Sequence, residues 1–268
     1  MCIRDRAVGG DRAKVDLLLP PGVEYHSWEP KASDVVKIAA ADVIIYLGSS
    51  LEPHVNDLMK GAAKADILVM AASQDLPILL AEEGSKEETH ARGHDPHIWQ
   101  DLELSQRIVR RIAEVFSKRD PGGASTYLRN AETYSAQLAA LDQQYREGLR
   151  RCRHRTFLFG GHAAFSYLAR RYGLEQMALY SVNPDSKPTA KQLTAVVDLA
   201  KQRGISVVFY ETLVSDELAR VIAKEVGGKT LLLNPGGNVT REDWEKGVSL
   251  ISLMEANLRN LREGLGCE

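Results

Sequence analysis

Cysteine is scarce in this chain, and its spacing gives no sign of the usual cysteine-based sites. Only three cysteines occur among 268 residues, Cys2, Cys152 and Cys267, and no two of them form a C-x-x-C motif. Widely separated single cysteines are poor candidates for a metal cage or a disulfide framework, so we expect neither. Cys152 lies in the basic run 150–155 and is expected at a solvated helix end.

Excess charge and long apolar runs are lacking as well. The 34 basic and 36 acidic side chains are well mixed and leave a formal net charge of −2. Such a balance provides no field that would hold a polyanion, so we expect no nucleic-acid partner. No apolar run reaches the roughly 18 residues of a membrane-spanning helix. The hydrophobic content of 44% is instead that of a globular protein with a sizeable core.

The N-terminus lacks a recognisable start. Residues 1–6 have no apolar segment of a signal peptide, and the chain then enters Gly9-Gly10-Asp11 as though in the middle of a domain. Our hypothesis is that residues 1–6 are not native, and that a leader and the first βα unit of the fold are missing.

Alternating apolar runs and helical periodicities predict an α/β fold. Strands are predicted at residues 14–19, 42–47, 67–70, 156–159, 207–210 and 230–233. Helices are predicted at residues 35–41, 54–64, 102–117, 163–172, 191–203, 216–226 and 244–263. We interpret this order as an N-terminal α/β lobe over residues 7–122, a long rigid linking helix over 123–151 and a C-terminal α/β lobe over 152–268. Ligands of such folds bind at the carboxyl ends of the strands.

Three of the seven histidines stand where an α/β fold places its ligands. His97 follows Pro96, whose fixed φ stiffens the backbone and can hold the neighbouring imidazole in one place. His26 follows a Pro-Pro-Gly turn, and His162 follows a Gly-Gly pair at a strand end. Each one alone is more simply a core or capping histidine. Three with the same placement, two in one lobe and one in the other, predict a shared metal site.

The segments around these histidines resemble the metal-binding receptors of bacterial zinc/manganese ABC uptake systems. Residues 20–30, PPGVEYHSWEP, look like their first ligand loop, and residues 95–99, DPHIW, resemble their second ligand motif. Residues 161–168, GHAAFSYL, resemble the third, and residues 209–211, FYE, their next strand end. The similarity extends from about Gly9 to Leu261.

The resemblance implies a periplasmic or lipid-anchored extracellular solute-binding protein with one metal in the cleft between its lobes. It would deliver the ion to a membrane permease and catalyse no reaction, and we expect a monomer. His26, His97 and His162 would be the ligands. Many relatives carry an Asp as fourth ligand just after the last strand, where this chain has Asn234. The fourth position therefore falls to Asn234, to Glu211 or to a water molecule.

The donor set favours Zn²⁺ over the alternative, Mn²⁺. Three imidazoles and at most one oxygen suit a tetrahedral zinc site, whereas manganese prefers carboxylates and more ligands. Two other functions remain open. A zinc hydrolase would use Glu211 as a general base, although no H-E-x-x-H motif is present. A surface adhesin would use the metal as a structural staple, although such staples usually have local ligand pairs.

Overall fold

The chain folds into two parallel sheets, one in each half, and two long helices that pack against each other. The computed structural model describes residues 2–26, 28–48, 52, 54–55, 57–58, 66–80, 94–180 and 189–268. The N-terminal lobe contains α1 (Cys2–Gly9), α2 (Ala32–Ala40), β1 (Val43–Tyr46), β2 (Leu68–Ala71) and α3 (Leu102–Arg119). β1 and β2 pair in parallel. The predicted two-lobed α/β class is confirmed.

The prediction of a strand at residues 14–19 is wrong. This segment is extended or bent but pairs with no other strand of the described chain. An apolar run becomes a strand only where a neighbour satisfies its backbone groups, and local sequence does not reveal that neighbour. The helix predicted at 54–64 lies largely outside the described residues.

The long helix that joins the lobes is α4 (Ala124–Gly148), somewhat shorter than the predicted 123–151. Its 25 residues correspond to about 37 Å. One face, which includes Tyr127, Leu138 and Tyr145, is buried against α3, α1 and the last helix, α9 (Leu250–Leu265). A single apolar cluster continues from the first lobe through α3 and α4 into the second. Among the helices of the described residues, none is both long enough and apolar enough to cross a bilayer.

The C-terminal lobe is a four-stranded parallel sheet with the order β4-β3-β5-β6. Its strands are β3 (Thr156–His162), β4 (Glu175–Tyr180), β5 (Val207–Tyr210) and β6 (Lys229–Leu232). Its helices are α5 (Ser166–Tyr172), α6 (Ala190–Gln202), α7 (Glu217–Glu225), α8 (Arg241–Glu245) and α9. The prediction of one helix over 244–263 is wrong, because a short non-helical segment separates α8 from α9. Gly247 adopts a left-handed φ of 69° there, and Ser249 caps α9 through the backbone N–H of Ser252.

The expectation that no disulfide forms is also wrong. Cys152 and Cys267 are joined, although 115 positions separate them in sequence. The fold brings them together because the segment before β3 runs alongside the end of α9. His154 N–H donates to the Leu265 carbonyl at 3.0 Å. Spacing along the chain excludes a local cysteine motif, but it does not exclude a bond between two elements that pack side by side.

Candidate metal site

The loop that carries His26 belongs to the N-terminal lobe but is held by the C-terminal lobe. This His26 loop, residues 20–26, turns at a Gly with a φ of 84°. The side-chain amide of Asn238, beyond β6, donates to the carbonyls of Pro20 at 2.9 Å and Val23 at 2.7 Å. The loop that carries the imidazole is therefore fixed by a side chain of the C-terminal lobe.

His97 is fixed by the residue two positions before it. Asp95 Oδ1 accepts from the His97 backbone N–H at 2.9 Å and lies 2.7 Å from Nδ1 of the ring. Both side chains are fully buried. Because the carboxylate accepts the Nδ1 proton, the other ring nitrogen, Nε2, is left with its lone pair free to bind a metal.

His162 ends β3, and the carboxylate behind it comes from the end of the neighbouring strand. Glu211, directly after β5, places Oε1 2.9 Å from His162 Nδ1. The same oxygen accepts from the His162 backbone N–H at 3.3 Å. A Cβ on Gly161 would overlap this carboxylate. The glycine before His162 therefore makes room for the group that orients the ring.

The three histidines predicted from sequence come together. One ligand atom from each of His26, His97 and His162 lies within 4.8 Å of the others. Nε2 of His97 and Nε2 of His162 are 3.2 Å apart, close to the roughly 3.3 Å between two nitrogens that share a tetrahedral zinc ion. Nε2 of His26 is buried and has no hydrogen-bond partner among the residues that the structure describes. The arrangement leaves three imidazole nitrogens directed at one small volume.

Burial keeps the imidazoles of His26 and His97 in the neutral form that a metal requires. Burial, followed by the proximity of His162 and His97, lowers the pKa of His26 to about 2. Burial also lowers the pKa of His97, although Asp95 opposes the shift.

Two buried carboxyl groups, those of Asp95 and Glu211, contact the far sides of the His97 and His162 rings. Asp95 is fully buried and Glu211 is 4% exposed. Within the described part of the chain, neither forms an ion pair with Lys or Arg; their partners are His97 and His162. A buried charge without a counter-charge is costly. A divalent cation on the far side of the two rings would balance both carboxylates.

The two side chains expected as a fourth ligand are engaged elsewhere. Glu211 contacts Nδ1 of His162, the nitrogen on the opposite side of the ring from the cluster. The amide oxygen of Asn234, a residue that is 3% exposed, accepts from the Gly236 backbone N–H at 2.8 Å. Its amide nitrogen donates to Thr212 at 3.4 Å.

Sequence reasoning missed Tyr25, whose hydroxyl lies 2.9 Å from Nε2 of His162 and 3.3 Å from Nε2 of His97. It also missed the support that Asp95 gives to His97. Both residues adjoin a predicted ligand or its Pro, and a search for polar groups within two positions of each histidine would have found them.

Fold and site together define a class: two-lobed α/β proteins in which both lobes contribute imidazoles to one buried cluster. The chain belongs to the ZnuA family, zinc-uptake complex component A periplasmic, whose profile matches residues 5–264. The zinc-binding lipoprotein AdcA of Streptococcus pneumoniae serotype 4 is 36% identical over 264 residues. That alignment covers 96% of this chain but 52% of the relative, so the chain spans about half the length of this curated protein.

Solved structures agree with this assignment. The Zn(II)-bound ZnuA-like domain of Streptococcus pneumoniae AdcA superposes with a TM-score of 0.83 at 34% identity, covering 98% of this chain and 95% of that domain. The laminin-binding protein Lmb of Streptococcus agalactiae, described as bifunctional with adhesin and metal-transporting activity, gives a TM-score of 0.83 at 29% identity. The match covers 99% of this chain and 96% of Lmb.

Proposed function

We propose that this protein is a solute-binding receptor that captures Zn²⁺ between its lobes and delivers it to the permease of an ABC uptake system. The observation that carries the proposal is the cluster of His26, His97 and His162, with ligand atoms within 4.8 Å of one another. Imidazoles drawn from both lobes can bind a cation tightly and release it when the lobes part, as a transport receptor requires.

The donor chemistry supports zinc over manganese. Three nitrogens converge, and the two nearby carboxylates contact the backs of His97 and His162 instead of facing the cluster. Nitrogen-rich tetrahedral sites suit zinc, whereas manganese sites are rich in carboxylate oxygens. We propose that zinc binds more tightly than manganese in the same buffer.

The proposed location is outside the cytoplasm, either in a periplasm or on a lipid anchor at the cell surface. The name lipoprotein carried by the AdcA relative supports this location. The disulfide between Cys152 and Cys267 supports it independently, because disulfides persist mainly in oxidising compartments. The proposed partners are the metal ion and the permease, and the proposed state is a monomer.

Zinc titration of chelator-treated protein tests the proposal. We expect one tight site, and His162→Ala should lose most of its affinity while keeping the far-ultraviolet dichroism of the parent. His154→Ala is the matched control, because His154 is a half-buried histidine that is not part of the cluster, and it should bind zinc normally. Zinc binding that survives in His162→Ala would refute the proposed site.

An adhesin role is a second candidate because the Lmb structure is described as having both activities. In a transport receptor, bound zinc should exchange with a competing chelator in solution. In an adhesin whose metal is purely structural, the cleft should stay closed and retain the metal in the presence of the chelator. The hydrolase alternative has less support, because Glu211 contacts Nδ1 of His162 at 2.9 Å and so lies away from the nitrogen that would bind a metal. Chelator-sensitive hydrolysis of a simple ester would revive it.

A further inference from the structure

We propose that the hydroxyl oxygen of Tyr25 is the fourth donor to the metal ion. The inference rests on the proposed function, because it concerns the same cluster of histidines. The geometry points to Tyr25, whose oxygen lies 2.9 Å from Nε2 of His162 and 3.3 Å from Nε2 of His97. These two nitrogens are themselves 3.2 Å apart.

The Tyr25 oxygen and the Nε2 atoms of His97 and His162 are spaced like three of the four donor atoms around a tetrahedral zinc ion. A circle through them has a radius of about 1.8 Å, so an ion about 2.0 Å from each atom would lie about 1 Å outside their plane. The third imidazole is that of His26, the residue directly after Tyr25. Its Nε2, which has no partner within the described part of the chain, is the donor left to complete the set. An ion at that position would contact the two Nε2 atoms and the Tyr25 oxygen, and the His26 imidazole, whose ligand atom lies within 4.8 Å of those of His97 and His162, would supply the remaining donor.

The aromatic ring of Tyr25 is held so that its hydroxyl stays at this position. The residue is 8% exposed, and its ring packs edge-on against Trp99 with centroids 6.1 Å apart. On another side it contacts Gly237, where an added Cβ would overlap the ring. The absence of a side chain at residue 237 thus leaves the space that the phenol occupies. A pre-positioned donor loses little entropy when the ion binds.

The expected fourth ligands do not compete for this position. Asn234 uses its amide oxygen on the backbone N–H of Gly236. Glu211 uses Oε1 on Nδ1 of His162. In the metal-free protein the Tyr25 hydroxyl can donate to only one of the two Nε2 atoms. When the ion binds, metal bonds from the hydroxyl oxygen and the nitrogen replace that hydrogen bond.

Tyr25→Phe tests the inference, because it keeps the ring and removes only the oxygen. We expect zinc affinity to fall at least tenfold, no less than the loss seen when a partner of a metal ligand is removed. With Co²⁺ in place of zinc, the visible ligand-field bands should also change, since one donor is replaced by water. Tyr145→Phe is the matched control: it removes a buried hydroxyl that donates to the Met254 carbonyl, and affinity and spectrum should both be unchanged.

Three results would overturn the role of Tyr25 while leaving the zinc site intact. These are unchanged affinity in Tyr25→Phe, higher affinity, and lower affinity with an unchanged Co²⁺ spectrum. Higher affinity would mean that the hydroxyl blocks the site. An unchanged spectrum would mean that the hydroxyl packs beside the ligands without binding the metal. Failure of the proposed function is distinguishable, because the parent protein would then bind no zinc, or His162→Ala would bind it as tightly as the parent.

Discussion

Mild acid should destabilise the metal-free protein because its site contains imidazoles that resist protonation. Burial, with help from His162 and His97, lowers the pKa of His26 to about 2 in the folded state. In the unfolded chain the value returns to about 6.5. Below that pH, His26 is protonated in the unfolded state but stays neutral in the folded state. Stability is therefore full above about pH 6.5 and falls as the pH drops.

The size of the effect follows from the linkage between proton binding and folding. For His26 alone, the free energy of unfolding should fall by about 1.4 kcal/mol between pH 7.5 and 5.5, and by about 2 kcal/mol at pH 5.0. His97, whose pKa is also lowered by burial, acts in the same direction. The loss should continue toward lower pH because the folded pKa of His26 lies far below this range.

Urea unfolding of chelator-treated protein at several pH values between 7.5 and 5.0 measures this loss. The matched variant is His26→Gln, which has no titrating group at that position. Between pH 7.5 and 5.5, its free energy of unfolding should fall by about 1.4 kcal/mol less than that of the parent. Identical pH profiles for parent and variant would refute the reasoning, because His26 would then titrate alike in both states.

Three further changes have expected outcomes. Asp95→Asn should weaken zinc binding about 10- to 100-fold by calorimetry, because His97 loses the anionic partner that orients it; unchanged affinity would contradict that role. Replacing Cys152 and Cys267 together by Ser should lower the free energy of unfolding by about 3–5 kcal/mol in non-reducing urea, and parent protein treated with reductant should match the variant. Asn238→Ala should speed zinc dissociation, measured by chelator competition, because the His26 loop loses its two hydrogen bonds to that amide; an unchanged rate would show that the loop is held by other contacts.

Local sequence predicted the elements whose signals lie within the element. The 3.6-residue periodicity predicted α3 and α4 with ends wrong by at most three residues. The apolar run at 42–47 predicted β1, which spans Val43–Tyr46. The family resemblance is confirmed by a profile match over residues 5–264. The same approach failed where a partner decides the structure, as it does for the segment 14–19 and for the disulfide.

The break between α8 and α9 was missed for a different reason. Its signals are in the sequence: a Gly at 247, which reaches a left-handed φ of 69°, and Ser249, which caps the next helix. A helical periodicity that continues across a break can hide it. Capping residues inside an apparently continuous helix should outweigh the periodicity.

The site illustrates what sequence position can and cannot predict. Placement after predicted strands or turns pointed to His26, His97 and His162, which do lie in one region, although among them only His162 ends a strand of the described residues. It could not assign roles to the groups around them. Glu211 directly follows β5, which is a plausible position for a metal ligand. Because β5 pairs with β3, however, its carboxylate contacts Nδ1 of His162, on the side of the ring away from the cluster.

The segment just after β6 links the fold to the metal site. Its Pro235 carbonyl accepts from the indole of Trp99 at 2.6 Å, two residues beyond His97, and its Asn238 holds the His26 loop. The start of the segment is fixed in turn to α9, because Asn257 bonds both the N–H and the carbonyl of Asn234. Both N-terminal ligand loops thus bond to one short stretch of the C-terminal lobe, while His162 stands on that lobe's own sheet. In the proposed receptor, opening the cleft would break these bonds as the ligands separate, so the contacts that assemble the site would also set the barrier to releasing its ion.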